Sequence, residues 1–198
     1  QEIGRAGRDG GPADAQLFFG LGDIRLRRMF IDDSEAEDAV KRVERRRLDA
    51  LVAYCEAVDC RRVALLTYFG EDTEPCGNCD VCLEPPTVID GTELGQKVLS
   101  TVVRTGERFG AGHIVDSLVG KSTDKIVASG HDRLSTFAIG ADLKAAEWRA
   151  VIRQLVASGF LDMDFAGYGG LSVSARGRAL LRGEGTVRLR TDSLRRAG

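Results

Sequence analysis

The chain has 198 residues, 43% of them hydrophobic and 29% charged, enough to bury one good core or two small ones and unlike a disordered chain. A formal net charge of -2 excludes a chain that is basic throughout, so any nucleic-acid contact has to come from local patches. There is no run of about eighteen apolar residues, and Gln1 to Gly10 is polar and glycine-rich, so neither a membrane span nor a secretory signal is expected and a cytoplasmic location is the simplest expectation.

The first ten residues are too rich in glycine and charge to begin a stable domain, so the chain is expected to open inside a larger one. Ala15 to Gly20, a compact apolar run between turn-forming residues, predicts a short buried strand of a parallel sheet. Arg25, Arg27 and Arg28 form a first basic patch, and Arg42 with Arg45, Arg46 and Arg47 a second, each readable as a solvated face or a phosphate contact. From Ser34 to Val58 apolar residues recur at steps of three and four, and Ser34 with Glu37 supplies a capping box, which predicts a long amphipathic helix. Arg61 to Phe69 predicts a shorter helix that ends at Gly70, where a left-handed cap is easily adopted.

Glu84-Pro85-Pro86-Thr87 excludes helix and marks a boundary. Beyond it, Thr92 to Arg104 and Leu143 to Ser158 predict helices, the second with Lys144, Arg149 and Arg153 away from its apolar side. Trp148 is assigned to the core, and His113 to a structural role. Val119-Gly120-Lys121-Ser122 imitates the end of a phosphate-binding loop, but the required first glycine would fall at Val115 and the preceding segment reads as helix, so no ATP site is expected there. Leu161 to Phe165 and Leu171 to Val173 predict a hairpin around Ala166-Gly167-Tyr168-Gly169-Gly170. Ser174 caps a helix through Leu181, and Val187 to Arg190 predicts a last strand, within a third basic patch of Arg176, Arg178, Arg182, Arg188 and Arg190. Helices followed by a hairpin over about a hundred residues describe a winged helix-turn-helix.

Five cysteines, at 55, 60, 76, 79 and 82, crowd one stretch. An odd number without an export signal makes metal binding the leading explanation over disulfides. Cys76-Gly77-Asn78-Cys79-Asp80-Val81-Cys82 sets three thiols at successive two-residue spacings, and Cys60 supplies a fourth. Four thiolates suit a closed tetrahedral zinc site with a structural role. Gly77 and Asn78 tolerate the left-handed backbone that a turn around one ion demands. Cys55, on the apolar stripe of its helix, is assigned to packing.

Gln1-x-x-Gly4-Arg5-x-Gly7-Arg8 resembles motif VI of superfamily 2 helicases, which implies that Gln1, Arg5 and Arg8 face the ATP phosphates, with Arg8 as an arginine finger. Cys60-Arg61-Arg62, Tyr68-Phe69-Gly70-Glu71 and Pro75 through Leu83 resemble the zinc module of bacterial RecQ helicases. Arg108-Phe109-Gly110, Gly130-His131-Asp132-Arg133-Leu134 and the stretch from Trp148 to Leu155 resemble the winged-helix signatures of that family. The resemblance implies zinc on Cys60, Cys76, Cys79 and Cys82, and ATP with Mg2+ in the full-length protein. It implies an ATP-dependent 3′ to 5′ DNA helicase of repair and recombination, acting at the bacterial nucleoid. The expected fold is mainly α with small β. The resemblance implies that residues 1–33 are a remnant of an α/β RecA-like motor domain, 34–86 a helical four-cysteine zinc-binding module, 87–191 a winged helix-turn-helix domain and 192–198 a tail. Lys144, Arg149, Arg153, Tyr168, His131 and Arg133 are the candidate contacts to duplex or forked DNA, with His131 also readable as a loop-ordering residue and Tyr168 as turn filling. Protein partners on the winged helix are a further expectation. Lacking the other motor motifs, the chain should not unwind DNA alone. The competing reading is a non-enzymatic winged-helix regulator with a structural zinc site, which would not need the Gln1 to Arg8 string.

Overall fold

The computed structural model describes residues 11, 16–163 and 169–191. The first part is helical: α1 (Leu21–Asp32), α2 (Asp38–Glu56), α3 (Arg61–Tyr68) and the short α4 (Asp80–Leu83). The second part runs β1 (Val88–Asp90), α5 (Thr92–Arg104), α6 (Ala111–Leu118), α7 (Asp124–Ala128), a 3-10 turn (His131–Arg133), α8 (Ala145–Ala157), β2 (Leu161–Met163), β3 (Leu171–Val173), α9 (Ala175–Leu181) and β4 (Arg188–Arg190). This is the mainly α fold with small β that the sequence implies, a zinc-module-like helical unit followed by a winged helix.

Two small antiparallel ladders organise the second unit. β2 and β3 pair Leu161 with Val173, Asp162 with Ser172 and Met163 with Leu171, forming the two arms of the wing. β1 and β4 pair Val88 with Arg190, Ile89 with Leu189 and Asp90 with Arg188, so the start and end of the unit are joined in one ladder. Between them α5, α6, α8 and α9 bury Val98, Leu99, Val102, Ile114, Leu118, Trp148, Ile152, Leu155 and Leu180 in one continuous core. Trp148 is wholly buried, and its indole N–H donates to the Gly140 carbonyl at 2.8 Å, which satisfies its one polar atom. The Ser174 hydroxyl accepts from the Gly177 amide at 3.0 Å and so caps α9 as the sequence predicts. The segment before Gly120 is helix α6, which removes the phosphate-loop imitation.

Two expectations fail. Gln16 to Gly20 form no strand, and Phe18 is 87% exposed. A parallel strand exists only when neighbours accept its backbone hydrogen bonds, and among the described residues no strand lies beside these five. The capping box at Ser34 is absent as well, because the Ser34 hydroxyl donates to the Ile31 carbonyl at the end of α1 and α2 begins only at Asp38. A serine between two helices can serve either end. Here it closes the first.

The two units touch along α8. Arg153 pairs with Glu56 at the end of α2, and the Arg190 guanidinium donates to the Ala57 carbonyl at 3.1 Å, while within the second unit Gln154 exchanges hydrogen bonds with the Arg190 backbone at 2.8 and 3.2 Å. A small cluster of Ile24 and Val52, flanked by Phe19, Leu48, Ala157 and Met163, takes residues from both units.

Candidate metal centre and nucleic-acid surface

Cys60 is the N-cap of α3, Cys79 is the N-cap of α4, and Cys82 lies one turn further on. Helix starts are good places for thiols, since the unpaired amides there stabilise a negative sulfur. Gly77 takes φ +69°, the left-handed conformation that bends Cys76 back toward Cys79. The result is that the sulfurs of Cys60, Cys76, Cys79 and Cys82 all lie within 4.8 Å of one another, with Cys60 and Cys79 4.0 Å apart. Four sulfurs at about 2.3 Å from a tetrahedral zinc ion would stand about 3.8 Å from each other, so the donor set fits that ion with little movement.

Electrostatics favour thiolates at part of the set. The Cys60 thiol is drawn down to about 6 by the backbone N–H of Cys76 and then that of Val63, against burial. Burial works against the Cys79 anion, yet the backbone N–H groups of Arg61 and Cys82 outweigh it and lower this thiol too. Cys82 accepts from the Gly77 amide, but burial and the neighbouring sulfurs prevail and push it up to about 11. Cys55 stands outside the cluster, half-buried, with its thiol raised by burial, which agrees with a packing role.

A residue with no assigned role in the sequence reading frames the site. Arg61 donates in a fork to Asp80, Nε to Oδ1 at 3.0 Å and Nη2 to Oδ2 at 2.9 Å, while its Nη1 reaches the Tyr54 carbonyl and, at 3.0 Å, the Cys55 carbonyl. One guanidinium thus binds the end of α2 to the starts of α3 and α4, the segments that carry the thiols. The hydrogen bonds from Arg61 hold the Asp80 carboxyl below the usual range. The available signal is the placement of a cation directly after the first thiol of the set and an acid directly after the third.

On the winged helix, the sequence-derived contacts separate. Lys144 and Arg149 are exposed near the start of α8. Arg149 lines a cleft of 440 Å³ with Gly20, Gly22, Ala111 and Gly112. Arg153 is held by Glu56 and lies 5.7 Å from the Phe19 ring centroid, so its charge is already matched inside the molecule. Arg133 is exposed, but His131 is buried and shares a 2.7 Å hydrogen bond between its Nδ1 and Nε2 of His113. That bond is the loop-ordering role. His113 stacks on Phe109 with centroids 4.0 Å apart. Burial, then the charge of His131, brings His113 down to about 4, and burial followed by Arg108 lowers His131. Tyr168, Gln1, Arg5 and Arg8 lie outside the described residues.

Much of the arginine in the three basic patches is internally matched. Arg28 pairs with Asp49, Arg45 with Asp32, Arg47 with Glu44 at 2.6 Å, Arg178 with Glu107 at 2.8 Å and Arg182 with Glu184 at 2.9 Å. For Arg47, Arg178 and Arg182 the solvated-face reading is the better one, whereas Arg28 is largely covered. No helix among the described residues is long and apolar enough to cross a membrane.

Comparison with known proteins agrees with this division. A family model described as RecQ zinc-binding matches residues 21–83, and one described as RQC domain matches residues 85–197. The protein named ATP-dependent DNA helicase RecQ of Pasteurella multocida is 40% identical over 187 residues, spanning 93% of this chain and 29% of that protein. The same-named proteins of Haemophilus influenzae and Bacillus subtilis are 38% and 36% identical, over 96% and 94% of this chain and 31% and 32% of their own lengths. The chain therefore spans about a third of the length of the curated relatives it matches.

Proposed function

The chain belongs to the RecQ helicase family, with its zinc-binding and RQC domains in order, and from that premise we propose that it is the duplex-holding part of an ATP-dependent DNA helicase that moves 3′ to 5′ in repair and recombination. The observation that carries the reading is the gathering of four thiols within 4.8 Å at the foot of a helical unit whose α2 is tied to the winged helix through Glu56 and Arg153. Cys60, Cys76, Cys79 and Cys82 hold one structural Zn2+. The ion supplies bonds that a unit with so few buried apolar residues cannot supply from packing.

The motor lies in the remaining two thirds of such a protein. Gln1, Arg5 and Arg8 of this chain complete that motor and face the phosphates of ATP bound with Mg2+, Arg8 stabilising the transferring phosphoryl group. The DNA partner is a duplex that continues into single strands, and further proteins dock on the winged helix. Work on the nucleoid sets the protein in the bacterial cytoplasm. The chain alone should neither hydrolyse ATP nor unwind DNA. A winged-helix regulator without enzymatic activity is the weaker reading, because relatives matching over more than nine tenths of this chain are named ATP-dependent DNA helicases.

The test is metal analysis of the purified chain together with binding to a forked duplex at two salt concentrations. One zinc per chain and binding that weakens steeply with salt are expected. Restoring the upstream residues should bring ATPase and unwinding. Metal-free, folded protein would overturn the zinc assignment, and upstream residues that restore no ATPase would favour the regulator.

A further inference from the structure

The four thiols of the cluster stand in different surroundings, although an ion held between them draws charge from each alike. Cys60 is only 5% exposed and so is closed to solvent, whereas Cys76, Cys79 and Cys82 are half-buried. Those three are within reach of a dissolved reagent.

Backbone amides separate them further. Cys79 accepts from the amide of Arg61 at 3.5 Å and from that of Cys82. Cys82 accepts from the amide of Gly77, and Cys60 from those of Val63 and, at 3.3 Å, Cys76. Among the described residues no backbone N–H donates to the Cys76 sulfur. The cause is local. Cys60 and Cys79 are helix N-caps, whereas Cys76 stands in irregular chain ahead of the Gly77 turn, where no helix start offers it amides. A thiolate that accepts an amide hydrogen bond has charge drawn off it, and it weakens that bond when its lone pair moves to an electrophile. The Cys76 sulfur has no such bond to lose. Cys55, outside the cluster, has its thiol raised by burial and so is a poor nucleophile.

The approach to Cys76 also selects the reagent. Glu71, Asp72 and Glu74 lie exposed on the segment that leads to it, and they repel an anionic oxidant while leaving an uncharged one unaffected.

We propose that Cys76 is an oxidation site, the sulfur through which an uncharged hydroperoxide opens the four-thiol cluster and releases its zinc. The Cys76 thiolate attacks the terminal peroxide oxygen, the O–O bond breaks, and the departing alkoxide takes a proton to become an alcohol, or water where the oxidant is hydrogen peroxide. Cys76 is left as a sulfenic acid. A second thiolate of the set, within 4.8 Å, attacks the Cys76 sulfur and displaces hydroxide, which is protonated to water. In sum two thiolates, one hydroperoxide and two protons give one disulfide, one alcohol and one water. Half of the ligand set is then gone, and the closure of α3 and α4 goes with it. A thiol reductant and fresh zinc reverse the change. The proposal rests on the reading that these thiols hold zinc, and it names the one that yields first.

The test treats the zinc-loaded chain with hydrogen peroxide in the presence of dimedone, follows released zinc with a chromogenic chelator, and maps the labelled cysteines by peptide mass spectrometry. Dimedone adducts should fall on Cys76 in about tenfold excess over the other cysteines, a factor of the size that one hydrogen bond to a charged group supplies. Cys76→His keeps a zinc ligand at the position and should release zinc about tenfold more slowly than Cys82→His, which keeps the Cys76 thiol. If neither variant loads zinc, the adduct map of the parent decides by itself. A purified parent without zinc would sink the zinc reading and this proposal with it. A zinc-loaded parent whose adducts are spread evenly, or fall first on Cys79 or Cys82, would sink the proposal and leave the zinc reading standing.

Discussion

The two halves of the chain are stabilised by different means. In the winged helix Leu99, Ile114, Leu118, Ile152, Leu155 and Leu180 are fully buried in one core. In the helical unit before it Ile24, Ile31 and Val52 are buried, while Phe30, Leu51, Leu65, Tyr68 and Phe69 stand about half or more exposed along α1, α2 and α3. At about 25 cal/mol per Å² of buried apolar area, packing contributes more to the later half, where more apolar side chains are fully buried, than to the earlier one. The earlier half is therefore built around metal-chelating residues and around α8 as an external wall. A small domain short of core is stable when something other than packing closes it, and the zinc proposed for the four thiols would be that device.

The sharpest way to break the contrast is at the thiols. Cys79→Ala, or removal of the metal by a chelator, should cost the helical unit on the order of 10 kcal/mol and unfold it, because apparent zinc binding in small modules reaches that size. Hydrogen exchange should then report lost protection across α2 and α3 with protection kept in α5 and α8. A cooperative collapse of both halves would mean that the winged helix is not self-sufficient. Leu99→Ala probes the opposite half and should cost about 2 to 5 kcal/mol through transfer and cavity terms, seen as a lower denaturation midpoint with zinc content unchanged. Glu56→Gln addresses the joint between them. It leaves Arg153 with an unmatched charge in a mostly buried setting, and about 3 kcal/mol should be lost from the docking of the two units. Faster limited proteolysis between them is the measurement.

The smallest effect concerns acid. The folded-state pKa values of His113 and His131 are depressed, so the unfolded chain binds more protons as the solution is acidified. Their contribution is complete above the ordinary histidine value near 6.5 and is lost as pH falls toward about 4, where a doubly protonated pair would set two donors against each other. Melting temperatures of the parent and of His113→Gln should differ in their pH dependence across that window, the variant being flatter. Parallel curves would show that the pair carries no linked stability.

Local patterns made most of the helices and the candidate ligands legible. Steps of three and four predict α2, α3, α5 and α8, Ser174 predicts the start of α9, and the Cys-x-x-Cys-x-x-Cys spacing with Cys60 predicts a cluster that the structure assembles. These signals are readable because each arises within a few residues of chain. The strand expected at Ala15 to Gly20 fails for the converse reason, since a strand depends on a partner that its own sequence does not name. The DNA-contact reading of Arg153, and the choice between loop-ordering and DNA contact at His131, are likewise matters that local pattern does not decide. An exposed-looking cation on a helix and a histidine in a glycine-flanked turn carry no mark of Glu56, 97 residues away, or of His113.

The residues alone pointed to the family through its motifs, and to several helices and the spacing of the thiols through side-chain type and short-range periodicity. Tertiary structure decided which charges are matched inside the molecule and which remain for a ligand. Pairing of that kind depends on three-dimensional distance, and Coulomb attraction and desolvation act across space between groups that the linear order keeps far apart.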